Sequence, residues 1–461
     1  MLDRLAIVGM GDLTRRLLLP SLARLLEAGR LPDRFEILAV DREERADDAF
    51  REELGASLEQ HAGDVGRAAR DELLSRVHAR TADAGDAERL KVALEPQSGP
   101  LAVYLALPPS IFEAAILALA EVALPPRSRV VVEKPFGEGL DSARRLNALL
   151  AQCLSEEAVH RMDHFLGKQT VQNVLGLRFA NRVFEPLWNR HHIAKVEIIW
   201  DEDLTLEGRA GYYDQAGALR DMVQNHLLQL LALVAMEAPA ELNDRDLRNR
   251  KVDILRSVEP LDRAAVAERT VRARYRAGRI GDREVPDYID EPGVDPHRET
   301  ETFAAVTLFV NNWRWAGVPF QLRSGKALSG NRHEIAVHFQ PVPHVAFPAD
   351  QEPRRNVLRM ALDPDVISLE MTVNGAGDPF TLEDADLSAE LAPQEVPAYS
   401  RLVLDILEGD ATFSIRGDEA EEAWRIVEPI LQGWAEGTTP MRDYQAGSAG
   451  PTTGFVAAHC P

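Results

Sequence analysis

Cysteine, lysine and long apolar runs are what this chain of 461 residues has least of. Its two cysteines, Cys153 and Cys460, make neither a disulfide framework nor a metal-ligand cluster, which fits a reducing compartment. The most apolar run, Leu227 to Met236, is interrupted by Gln229 and covers about half of a bilayer span. The opening MLDRLAIVGMG lacks the basic and apolar regions of a secretory signal. These absences predict a soluble, cytoplasmic protein. Positive charge is also short: the net charge is −22, which repels nucleic acid and anionic membranes at long range and argues against both as partners. A local cationic pocket for a small phosphorylated ligand is compatible with that field. Only six of the 52 cationic residues are lysine, at positions 91, 134, 168, 195, 251 and 326. Where arginine serves nearly every surface charge, a lysine that persists marks a place that needs a compact, rotatable ammonium. Lys134, Lys168 and Lys326 all fall inside motifs described below.

The chain is too long for one ordinary core and predicts two domains. Residues 4–9 (RLAIVG) form a short apolar run closed by glycine, which predicts a buried strand. Gly9-Met10-Gly11 leads into a leucine-rich helical pattern that ends at Gly29. A second strand is expected at 35–40, ending at Asp41-Arg42, and further strands at 101–107 and 129–133 with a helix over 112–122 between them. Residues 44–94 are charged, rich in alanine and predicted mostly helical. Strands alternating with helices predict an α/β, doubly wound, mostly parallel sheet over residues 1–160. Beyond that point the pattern changes. A helix is expected over 169–180, then strands of alternating polarity at 195–200, 304–310, 320–323, 334–338 and 366–372, which suit an antiparallel sheet. Residues 344–354 and 373–398 are loop-rich, and 420–430 returns to helix. An α+β domain over 161–461 follows.

Several motifs carry chemistry. Glycines between a strand and a helix let backbone amides approach a pyrophosphate at the helix N-terminus. With a following strand that ends in Asp41, the Gly9–Gly11 turn points to a dinucleotide. An acid in that position binds ribose hydroxyls and favours NAD, whereas an arginine accommodates the NADP 2′-phosphate. The chain has Asp41 followed by Arg42, so both cofactors stay open, and Arg42 is equally a solvated surface cation. Glu133-Lys134-Pro135-Phe136-Gly137 closes a strand at its carboxyl end, where open α/β sheets bind ligands. Arg161-Met162-Asp163-His164-Phe165-Leu166-Gly167-Lys168 gathers a carboxylate, an imidazole and an ammonium. His164 and Lys168 either cap the next helix or hold a phosphate dianion. His226 shares a helical face with Met222, Leu230 and Leu233. It is either a hydrogen-bonded core histidine or, with Asp163 fixing its tautomer, a base for a hydroxyl proton.

On these residues the chain resembles the glucose-6-phosphate dehydrogenase family over nearly its whole length. The resemblance is carried by GDLTRRLLLPSL (11–22), YLALPPSIF (104–112), VVEKPFG (131–137), RMDHFLGKQTVQN (161–173), the segment 207–237 with RDMVQNHLLQ, NNWRWAGVPFQLRSGKAL (311–328) and YQAGSAGP (444–451). It implies a Rossmann dinucleotide-binding domain over 1–160, then an α+β domain over 161–461 for substrate binding, catalysis and dimerisation. It further implies His226 as the general base for the C1 hydroxyl with Asp163 orienting it. His164, Lys168 and Lys326 would hold the 6-phosphate, and Glu202, Asp221 and Lys134 the sugar hydroxyls. Gly9, Gly11, Asp12, Leu13, Asp41, Arg42 and Lys134 would hold NADP or NAD. No metal is expected, and a homodimer or homotetramer is.

Four departures accompany the resemblance. The glycine turn is one residue shorter than the usual Gly-x-x-Gly-Asp-Leu. Asp41 replaces a small or apolar residue, which favours NAD use. Phe165 stands where many members have tyrosine. Asn331 stands where the family has lysine or arginine, with Arg332 beside it to compensate. Two alternatives remain beside glucose 6-phosphate oxidation: a dehydrogenase of another phosphorylated aldose, and a non-catalytic regulatory paralogue. The second is disfavoured because Asp163, His164, Lys168, Asp221, His226 and Lys326 are all present.

Overall fold

Five consecutive buried residues, Arg4–Val8, form a central strand of a six-stranded sheet. A strand covered on both faces needs no alternation of polar and apolar side chains, so its run is continuous. The computed structural model describes residues 1–95, 99–208, 210–348, 350–378 and 380–451; Arg209 of the resembling segment 207–237 and Cys460 lie outside them. The described chain divides into two units. One comprises residues 1–168, 239–249 and 394–421, and the other residues 169–238, 250–393 and the chain from 422. The sequence placed a single boundary at 160 and did not show the two later segments that join the first unit.

In the first unit the strands run in the order Val77–Thr81, Glu36–Asp41, Arg4–Val8, Ala102–Leu105, Arg129–Glu133, Val159–Met162. All neighbours are parallel. This is a doubly wound order, with its switch point between Arg4–Val8 and Ala102–Leu105. Gly9 sits there at φ +102°, and a Cβ on it would lie 2.4 Å from the Ala106 carbonyl oxygen. Its N–H donates to the Val40 carbonyl at 2.9 Å. Only glycine fits such a position. The helix after it begins with a π-wound segment, Thr14–Leu18, and continues as Leu19–Glu27, burying Leu19, Leu22, Ala23 and Leu25. The core of this unit also takes Leu402, Val403, Leu404, Ile406 and Leu407 from the helix Ala398–Glu408.

The stretch 44–94 is mostly helical as expected, and Val77–Thr81 interrupts its helices as a strand. That strand is short, carries His78 and Arg80, and lies at the sheet edge, so no apolar run announces it; pairing with Glu36–Asp41 makes it a strand. Likewise the loop-rich 373–398 contains the strand Leu382–Glu390, which is mostly exposed and therefore polar.

The second unit holds a nine-stranded sheet ordered Leu382–Glu390, Asp365–Asn374, Val357–Leu362, Arg332–Phe339, Ile193–Asp201, Pro319–Gly325, Phe303–Phe309, Thr270–Arg276, Met441–Gln445. Only two of its pairings are parallel, Pro319–Gly325 with Ile193–Asp201 and Met441–Gln445 with Thr270–Arg276. The remaining six are antiparallel. The helices Gln169–Phe179 and Leu228–Ala235 belong to the same unit, the latter buried along its whole length.

The switch-point glycine generates a prediction. Gly9→Ala forces both a left-handed backbone and a backbone clash, and strain of this kind costs roughly 1–3 kcal/mol per site. Its urea unfolding midpoint is expected to fall accordingly; an unchanged midpoint would show that the turn relaxes freely.

Candidate active site

The carboxyl ends of the parallel strands position one set of chemical groups. At the first, the Thr14 hydroxyl donates to the Gly9 carbonyl at 2.8 Å, pinning the turn to the helix that follows. Gly11 is exposed, with open space where a Cβ would stand. Asp12 is exposed and 3.3 Å from Arg16, and Leu13 is half-buried. An open approach to backbone amides before a helix is what a pyrophosphate needs, so these residues fit a dinucleotide. Asp41 ends the second strand. One of its carboxylate oxygens accepts the Arg42 amide at 2.8 Å, and the other lies 3.9 Å from Arg45. Arg45 in turn pairs with Glu43 and Glu53. Arg42 is exposed.

Glu133 ends the fifth strand, and Lys134 follows it. Glu133 is the more constrained: both the Tyr104 and Tyr399 hydroxyls donate to its Oε1, the latter at 2.8 Å. Burial raises its pKa, opposed by the two hydroxyls and by Lys134 and reinforced by Asp163. Asp163 follows the sixth strand and is only 1% exposed. Its Oδ1 accepts the Phe165 amide at 3.0 Å, capping the short turn His164–Gly167. The ring of Phe165 is a shared platform: His164 meets it edge-on at 5.0 Å, and the Lys168 ammonium lies 5.4 Å from its centre.

The second unit positions the other groups. Asp221 and His226 lie on Leu219–Leu227, which is wound as a π-helix and continues into Leu228–Ala235. In an α-helix residues five apart point about 140° away from one another. A ladder that bonds i to i+5 puts them in successive turns, and such segments recur at functional sites. The widening adds Asp221 to the neighbourhood of His226 along the helix, which α-helical spacing read from the sequence did not suggest. His226 is 1% exposed, and its backbone N–H donates to Asn225 Oδ1 at 2.6 Å. Asp221 accepts the Tyr212 hydroxyl at 3.3 Å.

Glu202 and Lys326, distant in sequence, meet in an ion pair of 2.5 Å. The indole of Trp200 donates to the other Glu202 oxygen at 3.2 Å, and the Lys326 ammonium lies 5.3 Å from the centre of the Tyr213 ring. Asn331 ties the chain: its Oδ1 accepts the Asp203 amide at 3.0 Å. Arg332 pairs with Glu334.

The family models for the glucose-6-phosphate dehydrogenase NAD binding domain and C-terminal domain match residues 7–173 and 175–458. A curated glucose-6-phosphate 1-dehydrogenase of Treponema pallidum is 41% identical over 96% of this chain and 90% of that protein. The chain belongs to the glucose-6-phosphate dehydrogenase family. A solved glucose-6-phosphate 1-dehydrogenase from Mycobacterium avium is 35% identical, covering 97% of this chain and 95% of that one, with a TM-score of 0.85. A solved glucose-6-phosphate dehydrogenase in complex with glucose 6-phosphate is 32% identical over the same shares, with a TM-score of 0.87.

Lysine scarcity in this chain does not by itself mark a functional site. Lys195 pairs with Glu197, and buried Lys251 donates to Gln229, both structural uses. Sequence reasoning missed Tyr104 and Tyr399, which hold Glu133. Tyr104 stands within YLALPPSIF, but Tyr399 is remote in the chain and nothing in its own segment points to Glu133. It also missed Glu301, whose carboxylate accepts the Leu219 amide.

The half-buried Glu133 predicts a pH dependence. Its folded pKa is raised above the ordinary value of 4.5, so its contribution to stability is present below that value and is lost as pH rises through the raised one. Glu133→Gln keeps an acceptor for both tyrosines and does not ionise. Its melting temperature relative to the parent is expected to improve as pH rises from 4.5 toward 8, whereas a pH-independent difference would contradict the assignment.

Proposed function

We propose that this protein is an active glucose-6-phosphate dehydrogenase, oxidising glucose 6-phosphate at C1 to 6-phosphogluconolactone and opening the oxidative pentose phosphate route. One observation carries this reading: family membership spans both domains while Asp163, His164, Lys168, Asp221, His226 and Lys326 all stand in their motifs. A bound nicotinamide supplies the hydride acceptor. The chain's own residues do the rest. His226 takes the C1 hydroxyl proton, and Asp163 fixes its tautomer. Losing that proton stabilises the electron-poor carbon as hydride departs. His164, Lys168 and Lys326 hold the 6-phosphate. Binding a remote dianion then orients C1, turning binding energy into rate. Glu202, Asp221 and Lys134 take sugar hydroxyls. The Glu202–Lys326 pair supports this assignment, since a preformed pair holds two such groups in one place before substrate arrives.

For the cofactor, Gly9, Gly11, Asp12 and Leu13 line the diphosphate turn, and Lys134 approaches the nicotinamide. Asp41 takes ribose hydroxyls, which makes NAD a substrate beside NADP, and Arg42 takes a 2′-phosphate; the exposure of Arg42 supports that role. The same reading includes a cytoplasmic homodimer or homotetramer. Among the described residues no helix is long and apolar enough to cross a membrane. Leu387 and Val373, on the outermost two strands of the large sheet, are exposed apolar groups that self-association would cover.

Purified protein assayed with a panel of sugar phosphates and both cofactors is expected to reduce them fastest with glucose 6-phosphate. Turnover of a different sugar alone would replace the substrate, and silence with all would favour a regulatory paralogue. His226→Asn should lower turnover by roughly 10²–10⁴-fold, the range for a lost general base; a rate near the parent's would reduce His226 to packing. Asp41→Ala is expected to shift the ratio of kcat/KM values toward NADP, and an unmoved ratio would remove Asp41 from cofactor choice.

A further inference from the structure

Ahead of the helix that carries Asp221 and His226, the chain kinks at Gly217, φ +69° and ψ 169°. A helix that begins at a kink leaves its first N–H groups without partners inside the helix. Here a distant residue supplies them. The Glu301 Oε1 accepts the Leu219 N–H at 2.9 Å, and the Glu301 carbonyl accepts the Ala218 N–H at 3.1 Å. Glu301 is only 7% exposed. The carboxylate fills the space a side chain at 217 would take, since a Cβ there would lie 2.4 Å from Oε1.

The residues on either side are held as firmly. The Thr300 hydroxyl donates to the Asp214 carbonyl at 2.6 Å. Asp214 itself accepts from Tyr288, Arg298 and the Asp295 amide. On the other side the Lys326 N–H donates to the Thr302 carbonyl at 2.9 Å, and the Tyr444 hydroxyl donates to the Lys326 carbonyl at 2.6 Å. The Thr302 side chain meets Tyr444 at 2.8 Å and accepts the Tyr275 amide at 3.0 Å. Three consecutive residues therefore join the start of the His226 helix to the backbone of Lys326.

We propose that Glu301 is a positioning residue for the dehydrogenation, its carboxylate setting Asp221 and His226 at a fixed distance from Lys326. It touches no reacting atom and acts through the helix it anchors. The inference rests on the reading of His226 as base. A small misplacement of such a group costs turnover more than binding, and about 1 Å is worth up to about 10²-fold.

The test uses the full chain with four variants, Glu301→Ala, Glu301→Gln, Gly217→Ala and His226→Asn. For each, kcat and both KM values are measured alongside the folded fraction at the assay temperature. Glu301→Ala is expected to lower kcat per folded molecule by roughly 10–10²-fold, with the cofactor KM unchanged. Glu301→Gln, which retains an acceptor for Leu219, should recover most of that rate. Gly217→Ala displaces the carboxylate from the opposite side and should reproduce the kcat loss, and it carries the test if Glu301→Ala does not fold. A parent-like kcat per folded molecule in Glu301→Ala or Gly217→Ala, or a loss confined to KM, overturns the proposal. If His226→Asn turns over normally, the base assignment itself fails; if it is inactive while Glu301→Ala is normal, only the positioning role fails.

Discussion

Parallel pairing imposes one direction on every strand of the smaller sheet, and that constraint places its chemistry. Six strands running the same way deliver six carboxyl ends to one edge. Gly9 follows the first of them, Asp41 ends the second, Glu133 ends the fifth with Lys134 beside it, and Asp163 follows the last. Residues scattered over more than 150 positions of sequence thus share an edge because the backbone ladder leaves them no other. The switch point lies between the first strand and Ala102–Leu105, and the absent side chain of Gly9 lets the Ala106 backbone approach there, where a Cβ would lie 2.4 Å from its carbonyl oxygen.

The larger sheet solves a different problem. Most of its neighbouring strands run in opposite directions, so no edge collects all their ends, and its candidate groups depend on local devices. A π-wound segment carries Asp221 and His226. An ion pair fixes Glu202 to Lys326. Carboxylates drawn out of water in both units, half-buried Glu133 and buried Glu301, are satisfied by donors from remote segments, Tyr399 and Leu219. A buried carboxylate without such donors would cost several kcal/mol. Each therefore marks a place where the chain has committed a distant segment to hold one side chain.

Much of this was legible in the residues. Arg4–Val8, Glu36–Asp41, Ala102–Leu105 and Arg129–Glu133 are built around runs rich in Val, Ile, Leu and Ala, a pattern that burial on both faces produces directly, whereas the buried strand Val159–Met162 carries His160 and Arg161 and shows no such run. Motif order carried the family. Legibility failed wherever backbone pairing, and not side-chain type, made the structure. Val77–Thr81 and Leu382–Glu390 are polar edge strands, so neither shows an apolar run. The π widening at Leu219–Leu227 escaped as well, because the same leucines would suit an α-helix. Lysine scarcity selected Lys326 but equally Lys195 and Lys251, whose partners are structural.

The sequence by itself determined the two architectures, the family and the candidate site residues, since apolar periodicity and short motifs are local properties of a chain. Tertiary structure alone decided which of those groups are held, and by what. That Tyr399 grips Glu133, that Lys326 meets Glu202, and that Glu301 closes the open end of the His226 helix are all contacts between segments far apart in order. No spacing rule encodes them, because a hydrogen bond depends on distance in space, and only the folded backbone sets that distance.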